Sequence, residues 1–435
     1  MSPRIDRRFH RRAVLRSGAL AVAGIFVSRG RAPAGERSPN EKLDIAIVGC
    51  GNRGEANLDG VSSENIVALC DVDDRLAAKA FGRFPGAKRY RDFRKMLDEV
   101  GSKIDAVVVS TPDHTHAVAA AAAMRLGKHC YCEKPLAHTV EEVRTLRTIA
   151  REKKLVTQLG TQIHAEANYR RAVELVRSGA IGAVRDVHVW LGGSYAGKDR
   201  PAETPPVPPE LDWDLWLGPA PERPYHPCYA PGGWRSWWDF GSGALGDFGC
   251  HYMDLAFWAL ELRAPTRVEA EGPPVHPEGT PAWLVVRYEF PARGELPPVR
   301  LTWYDGGKKP TLVTEGKVPA WGSAVLFVGE KGMLIADYGN RKLLPEAEFR
   351  DFRPPEPSIP DSIGHHREWI AACKTGGPTT CGFDYSGALT EAVLLGVAAY
   401  RSGKAFEWDA DSLRAKGLPE ADRFIRGAPR RGWSL

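Results

Sequence analysis

The run Gly49-Cys50-Gly51-Asn52-Arg53-Gly54 constrains this chain more than any other six residues. It follows Leu43 to Val48, a short apolar stretch that reads as a strand, and it opens a helix. In a strand–turn–helix of this kind the glycines serve a tight turn, close backbone approach to a pyrophosphate, and helix–strand packing. The helix N-terminus offers free N–H groups to phosphates. A second strand, Ile66 to Cys70, ends at Asp71, 17 residues after Gly54. A carboxylate there can bind both ribose hydroxyls of an adenosine half and repels a 2′-phosphate, so NAD is expected over NADP. The nearby cations Arg53 and Arg75 keep NADP possible.

The pattern continues as strands alternating with helices. Ile104 to Val109 and His129 to Cys132 read as strands, and Val156 to Leu159 as a further one. Helices are expected over Asp73–Gly82, Phe93–Val100, His116–Leu126 and Val140–Lys153. Such alternation predicts a parallel sheet covered on both faces, an NAD(P)-binding Rossmann domain over residues 42–160. After Gly160 the texture changes. A helix from Ala167 to Arg177 precedes candidate strands at Val184–Leu191, Arg267–Glu271, Ala282–Glu289, Val299–Tyr304, Ala324–Val328 and Met333–Asp337. An open, mostly antiparallel sheet is expected over residues 161–427. It would form the substrate and oligomerisation domain, braced by late helices at His365–Cys373 and Tyr385–Arg401. Residues 199–233 are proline-rich and are expected to form a long loop over this second domain. The basic tail after Gly427 is expected to dock loosely or stay mobile.

The sequence pI of 8.7 hints at an anionic partner. Residues 1–34 dissolve that hint. They hold eight arginines against Asp6, a charge of +7, so the formal +5 of the chain leaves the remainder near −2. Nucleic acid is therefore not an expected partner. The same segment reads as a twin-arginine export signal: Arg11-Arg12, a short apolar run from Gly18 to Val27, then Ala32-Pro33-Ala34. Export to the periplasm of a folded protein is expected, with no stable membrane insertion once the signal is removed. The eight cysteines are expected as buried free thiols. Cys130 and Cys132 share one face of a strand and cannot readily bridge each other. No second close pair completes a zinc site, so no metal is expected.

Three further motifs follow the glycine run in order: Thr111-Pro112-Asp113-His114-Thr115-His116, Glu133-Lys134-Pro135 and Asp247-Phe248-Gly249-Cys250-His251. Together the four motifs make the chain resemble the Gfo/Idh/MocA oxidoreductases, the family of glucose–fructose oxidoreductase and inositol dehydrogenase. The resemblance covers nearly everything after the signal. It implies dimers or tetramers formed through the second sheet, and a cis peptide bond between Lys134 and Pro135. The family commonly has Asn where Asp113 stands. The cofactor side is then expected to comprise Gly49, Gly51, Asn52, Arg53, Gly54, Asp71, Thr111, Pro112, His114, His116, Glu133 and Lys134, with His116 near the nicotinamide ribose.

The chemistry asks for similar residues independently. Removing a hydride from a carbinol carbon requires loss of the hydroxyl proton to a base within hydrogen-bond reach. Lys134 falls at the carboxyl edge of the sheet, where its ammonium can stabilise a developing alkoxide. Asp247 and His251 are four apart and share one helix face. A carboxylate beside an imidazole raises its basicity. The resemblance makes His251 the general base and Asp247 its positioner or a substrate ligand. The catalytic set is thus Lys134, Asp247 and His251.

Ten of the thirteen tryptophans lie between Trp190 and Trp321. Aromatic faces stack on sugar C–H faces, so Trp234, Trp237 and Trp238 are candidates for substrate contact, with Arg235 reading hydroxyls. Gln162 and His164 are expected to face the cleft. The substrate expected is a carbohydrate or cyclitol, its hydroxyl oxidised with a tightly bound, recycled cofactor. A redox-neutral glycosidase using NAD transiently is the alternative. Intact Lys134, Asp247 and His251 argue against a sensor without catalysis.

Overall fold

The computed structural model describes residues 41–197 and 199–435, so the expected export signal lies outside the described residues. Six strands form the first sheet: β1 (Asp44–Val48), β2 (Asn65–Cys70), β3 (Lys88–Tyr90), β4 (Ala106–Val109), β5 (His129–Cys132) and β6 (Thr157–Leu159). All pair in parallel, in the order β3-β2-β1-β4-β5-β6. β4 is an unbroken β-branched run after Ala106 and is buried throughout, as a strand covered on both faces must be. The strand order reverses between β1 and β4, which leaves a crevice beyond their carboxyl ends.

The helices of this domain are α1 (Arg53–Val61), α2 (Asp74–Arg83), α3 (Phe93–Val100), α4 (Asp113–Arg125) and α5 (Val140–Glu152). Asp73 caps α2, Asp92 caps α3, and Thr139 with Glu142 forms a capping box on α5. No side chain caps α1 or α4. Both of these helices begin at the crevice; Gly54, Glu55 and Thr115 donate back to Gly51 O, Asn52 O and Pro112 O, which leaves the N–H groups ahead of them for a ligand.

The second domain begins with α6 (Ala167–Arg177) and β7 (Val184–Trp190), followed by the short α7 (Trp213–Leu217) and the long α8 (Gly243–Leu260). Its later strands are β8 (Arg267–Glu271), β9 (Val285–Phe290), β10 (Val299–Tyr304), β11 (Ala324–Gly329), β12 (Gly332–Ala336), β13 (Arg341–Leu344), β14 (Phe406–Asp409) and β15 (Arg414–Lys416). The helices α9 (Thr311–Thr314), α10 (His365–Thr375), α11 (Phe383–Ser402) and α12 (Asp422–Arg426) complete it. The nine strands run β13-β12-β11-β7-β10-β9-β8-β14-β15. In this sheet, among the described residues, only β7 and β10 pair in parallel. The expected open, mostly antiparallel sheet is therefore present. α8 and α11 are buried almost all round, as central helices are. They pack tightly together: a Cβ on Gly249 would stand 2.8 Å from the Val393 side chain.

Three expectations change. α10 does not brace the second sheet. Its Trp369, Ile370 and Cys373 join Ile45, Ile47 and Leu69 in the core of the first, because its apolar face meets α1 and that sheet. The proline-rich segment carries α7 and lies against the first domain. Asp212 donates its N–H to Val72 O at 2.9 Å, and Asp74 donates to Glu210 O at 3.1 Å. An aromatic cluster of its own, including Trp216, Tyr229, Trp237 and Phe240, fixes this strap. The tail after Gly427 is docked, with Trp433 only 7% exposed. Among the described residues no helix is long and apolar enough to cross a membrane. All eight cysteines are free; seven are buried and Cys228 is half-buried.

Candidate active site

Gly49 turns the chain at φ +86°, and a Cβ there would meet the Ser110 carbonyl at 2.7 Å. A Cβ on Gly54 would stand 2.0 Å from Gly49 O. Gly54 thus packs α1 against the loop and does not itself line the crevice. Asn52 holds a left-handed φ of 50°, uncommon for a residue with a side chain. Asp71 ties the loop down. Its carboxylate accepts from the N–H of Cys50 at 2.7 Å and of Asp73 at 3.0 Å. Burial raises its pKa, and these N–H groups oppose the rise.

Gly49, Gly51, Asn52, Arg53 and Asp71 open onto a cavity of about 390 Å³. Thr111, Pro112, His116, Glu133 and Lys134 form its floor, and Trp234 and Arg235 reach it from the strap. Thr111 Oγ1 is buried there without a partner. An uncapped helix, a loop too tight for side chains and an orphaned hydroxyl fit a dinucleotide. NAD would be held by the loop, with Asp71 at its adenosine end.

Beside this cavity lies a charged cluster. The Lys134–Pro135 bond is cis. Lys134 donates to Asp247 O at 2.8 Å and pairs with the Asp247 carboxylate. Asp247 also accepts from Tyr195 Oη at 2.6 Å and ion-pairs with Arg235 at 3.3 Å. Burial alone would raise Asp247, but Lys134 and Arg235 outweigh it and hold the carboxyl down at about 2. Glu133 behaves alike: burial pushes it up, and Arg53 with Lys134 brings it below its ordinary value. Its carboxylate accepts from Arg53 at 3.0 Å and from Asn57 and Gln162. It therefore positions the glycine loop.

Asp247 and His251 share the expected face of α8, yet the carboxylate does not serve the imidazole. Lys134, Tyr195 and Arg235 occupy it instead. Burial, then the Lys134 charge, depresses the His251 pKa to about 3, the reverse of the expected rise in basicity. His251 Nδ1 is buried with no partner.

Four other assignments change. His114 turns away from the cavity, its Nε2–H donating to Trp216 O at 3.0 Å and its ring packing on Trp216 and Phe240. His116 lines the cavity, but its nitrogens bridge Thr111 O and Pro135 O at 2.8 and 2.7 Å; it staples two motifs together. Gln162 does not line the cavity; it donates to Tyr131 Oη and Glu133. His164 is fully buried, bonded to Asp254 at 2.9 Å and stacked on Trp258, because a 3-10 turn over Gln162–Ala165 rotates it into the core. Cys381 joins His164 and Asp254, their ligand atoms within 4.8 Å of one another. Of the three clustered tryptophans, Trp234 faces the cavity, with the Arg235 guanidinium 4.1 Å over its ring. Trp237 and Trp238 are buried in packing.

Sequence reasoning missed Tyr195, Trp433 and the environment of Asp113. Tyr195 stands after β7 in no motif. Asp113 lines the cavity, and burial pushes its carboxyl up to about 8, against the pull of Arg235.

Residues 43–161 match the oxidoreductase family's NAD-binding Rossmann fold, and residues 175–296 match its C-terminal alpha/beta domain. Both carry the Gfo/Idh/MocA family label. An inositol 2-dehydrogenase of Saccharopolyspora erythraea is 31% identical over 183 residues, 40% of this chain and 53% of the relative. A levoglucosan dehydrogenase of Pseudarthrobacter phenanthrenivorans is 27% identical over 228 residues, half of each chain. The chain thus spans about half the length of the curated relatives it matches. The fold is similar to that of an inositol dehydrogenase homologue from Azotobacter vinelandii, solved with NADH and myo-inositol. The TM-score is 0.56 at 18% identity, covering 85% of this chain and 98% of that one.

Proposed function

Because the chain belongs to the Gfo/Idh/MocA oxidoreductase family, with an NAD-binding Rossmann domain, we propose that it oxidises a hydroxyl of a sugar, glycoside or cyclitol, using NAD that stays bound and is restored in each cycle. The observation that carries this reading is the Lys134 ammonium, fixed by Asp247 beside the dinucleotide cavity. An ammonium has three donors. Asp247 O and the Asp247 carboxylate take two, which leaves one for a substrate oxygen.

NAD, held by the glycine loop, would supply the acceptor for the hydride that leaves the carbinol carbon. Lys134 stabilises negative charge growing on the oxygen. His251, one turn on from Asp247 along α8, accepts the hydroxyl proton, as the family motif implies. Its depressed pKa keeps the imidazole neutral over the physiological range and makes it a weak base, so Lys134 must carry most of the stabilisation of the departing proton's oxygen. Asp247 and Tyr195 position the lysine. Trp234 offers an aromatic face and Arg235 a hydroxyl donor.

The arginine-rich leader supports export to the periplasm and a retained cofactor together, since no maintained NAD pool is expected there. The family supports a dimer or tetramer through the second sheet. The curated dehydrogenase relatives named above act on cyclic polyols and their kin by name, which supports the substrate class.

Asp113 favours a second reading, redox-neutral glycoside cleavage. Its carboxyl lines the cavity and retains a proton up to about pH 8, as suits an acid delivering a proton to a departing glycosidic oxygen. Oxidation would acidify the neighbouring C–H, a base would remove that proton as the glycosidic C–O bond breaks, water would add to the enone, and the hydride would return to the ketone. One experiment tests both. The mature protein is incubated with a panel of sugars, cyclitols and glycosides in D2O, and the products are identified by mass spectrometry. An oxidised product supports the first reading, and a cleaved, deuterium-labelled, unoxidised product the second. No reaction with any member of the panel overturns both.

A further inference from the structure

We propose that the C-terminal tail is part of the dinucleotide site, with Arg430 and Trp433 clasping the cleft shut over the bound cofactor. The inference deepens the proposed function and rests on a dinucleotide being the occupant of the cleft.

Chain ends fray unless something ties them down. Trp433, two residues from the C-terminus, is 7% exposed and lines the dinucleotide cavity. It packs on Phe93, three residues after Tyr90, whose carbonyl accepts from the Asp71 N–H at 3.0 Å, so Trp433 and Asp71 line neighbouring parts of the cavity. That is the adenosine end, since an acid at the end of the second strand binds the adenosine ribose. An aromatic face there suits a purine ring, which stacks without needing a hydrogen-bond match.

The tail touches both walls of the cleft. Arg430 grips the strap: its guanidinium donates to Asp214 Oδ1 at 2.5 Å, to Asp214 O at 2.9 Å and to Gly218 O at 3.0 Å. Its own N–H donates to Pro219 O at 2.9 Å. Three residues on, Trp433 grips the first domain. The Arg94 guanidinium lies 4.2 Å from its ring centroid, and the Phe93 ring lies 6.1 Å away. Arg94 is itself held by Asp92, so the cation is fixed before the indole meets it. The Trp433 N–H donates to Arg430 O at 3.0 Å, which makes the two grips one rigid turn.

The strap is also hydrogen-bonded to the turn after β2 through Val72 and to the start of α2 through Asp74. A dinucleotide seated under strap and tail leaves only when the turn at Arg430–Trp433 lifts. The tail therefore sets the dissociation rate more than the chemistry.

The test is the release rate of bound NAD. Full-length protein loaded with labelled NAD is chased with excess unlabelled NAD and sampled by rapid gel filtration. Trp433→Ala and Arg430→Ala should each release NAD about tenfold faster or more, the scale of losing a buried aromatic or arginine anchor. Trp433→Phe should stay near wild type. Unchanged release in both alanine variants overturns the proposal. So does a lowered melting midpoint of the NAD-free variants with wild-type release from the protein that remains folded, since that is the mark of a purely structural tail. The retained-cofactor reading fails separately, if the wild type needs continuous free NAD; the comparison of release rates still decides the clasp.

Discussion

Lys134 and Asp247, 113 residues apart, meet twice: the ammonium donates to the Asp247 carbonyl oxygen at 2.8 Å and pairs with the Asp247 carboxylate. One residue follows the fifth strand of the dinucleotide domain by two positions and the other lies in the first turns of α8. Both side chains are close to nine-tenths buried. A buried pair is costly to break because the remaining charge loses its partner. The bond thus couples the two domains at the point where the chemistry is proposed. Lys134→Ala should lower turnover by about 10² or more while bound NAD remains stoichiometric. Asp247→Asn keeps the carbonyl contact and weakens the pair, so a smaller loss is expected. Turnover and nucleotide content measured on the same preparations check both.

His251 should govern the acid side of the pH profile. Its pKa is depressed to about 3 by burial and then by Lys134. A base acts when unprotonated, so kcat/KM should hold as pH falls through 6.5, the ordinary histidine range. It should fall only near pH 3–4, or where the protein unfolds. His251→Ala should lower turnover by about 10² or more at neutral pH. A wild-type acid limb centred near pH 6.5 would remove His251 as the base in this environment.

Stability should follow the buried histidines. Burial depresses the pKa of His114 and His365 to about 3 and of His138 to about 4. Between those values and about 6.5, the unfolded chain binds protons that the folded chain refuses. Lowering the pH through this window therefore favours unfolding. The stability they contribute is complete above about pH 6.5 and is lost below it. Asp113, raised to about 8, and Glu142, raised to about 7, act in the opposite sense over part of this window, so the check is a comparison: the urea midpoint of His114→Gln should fall less between about pH 6.5 and pH 4 than that of the wild type.

How much of this was legible beforehand varied with the kind of information each feature needs. β1, β2 and β4 are short apolar runs bounded by turn residues, and the glycine loop stands where a parallel sheet requires it. These features are local. β3, β13, β14 and β15 are three or four residues long and carry too little pattern to find. The Lys134–Asp247 pair joins residues on different domains, so each could be suspected from its motif but their bond could not. His164 was misplaced because sequence shows no 3-10 turn rotating it onto Asp254 and Trp258. Trp433 sits in a short basic tail without periodicity, and nothing there announces Arg94 or Asp214 as its partners.

Asp71 should show two effects in one substitution. Its carboxylate repels a 2′-phosphate, and it also accepts from the N–H groups of Cys50 and Asp73. Removing it leaves buried donors unpaired, which costs roughly 1–3 kcal/mol each. Asp71→Ala should therefore weaken NAD binding by about tenfold or more and still narrow the gap between NAD and NADP. Titration of both nucleotides into NAD-free protein checks the pair of outcomes. Tighter binding of NADP than NAD by the wild type would overturn the assigned preference.

Retention of the cofactor is the most decisive expectation, because it links the proposed location to the proposed chemistry. An enzyme that released NADH outside the inner membrane would stop after one turnover. A workable design restores the nucleotide in place, by a second substrate, by re-reduction of the same substrate after elimination, or by an electron-accepting partner. The dinucleotide cavity is walled by the glycine loop on one side and the strap on the other, an arrangement suited to holding its occupant. Protein purified from the exported fraction should therefore carry close to one NAD(H) per chain and turn over without added cofactor. Heat release of the nucleotide followed by chromatography gives the content, and product formation in nucleotide-free buffer gives the turnover. Empty protein that works only with continuous free NAD, or mature protein confined to the cytoplasm, would leave an ordinary freely exchanging dehydrogenase in place of the closed cycle.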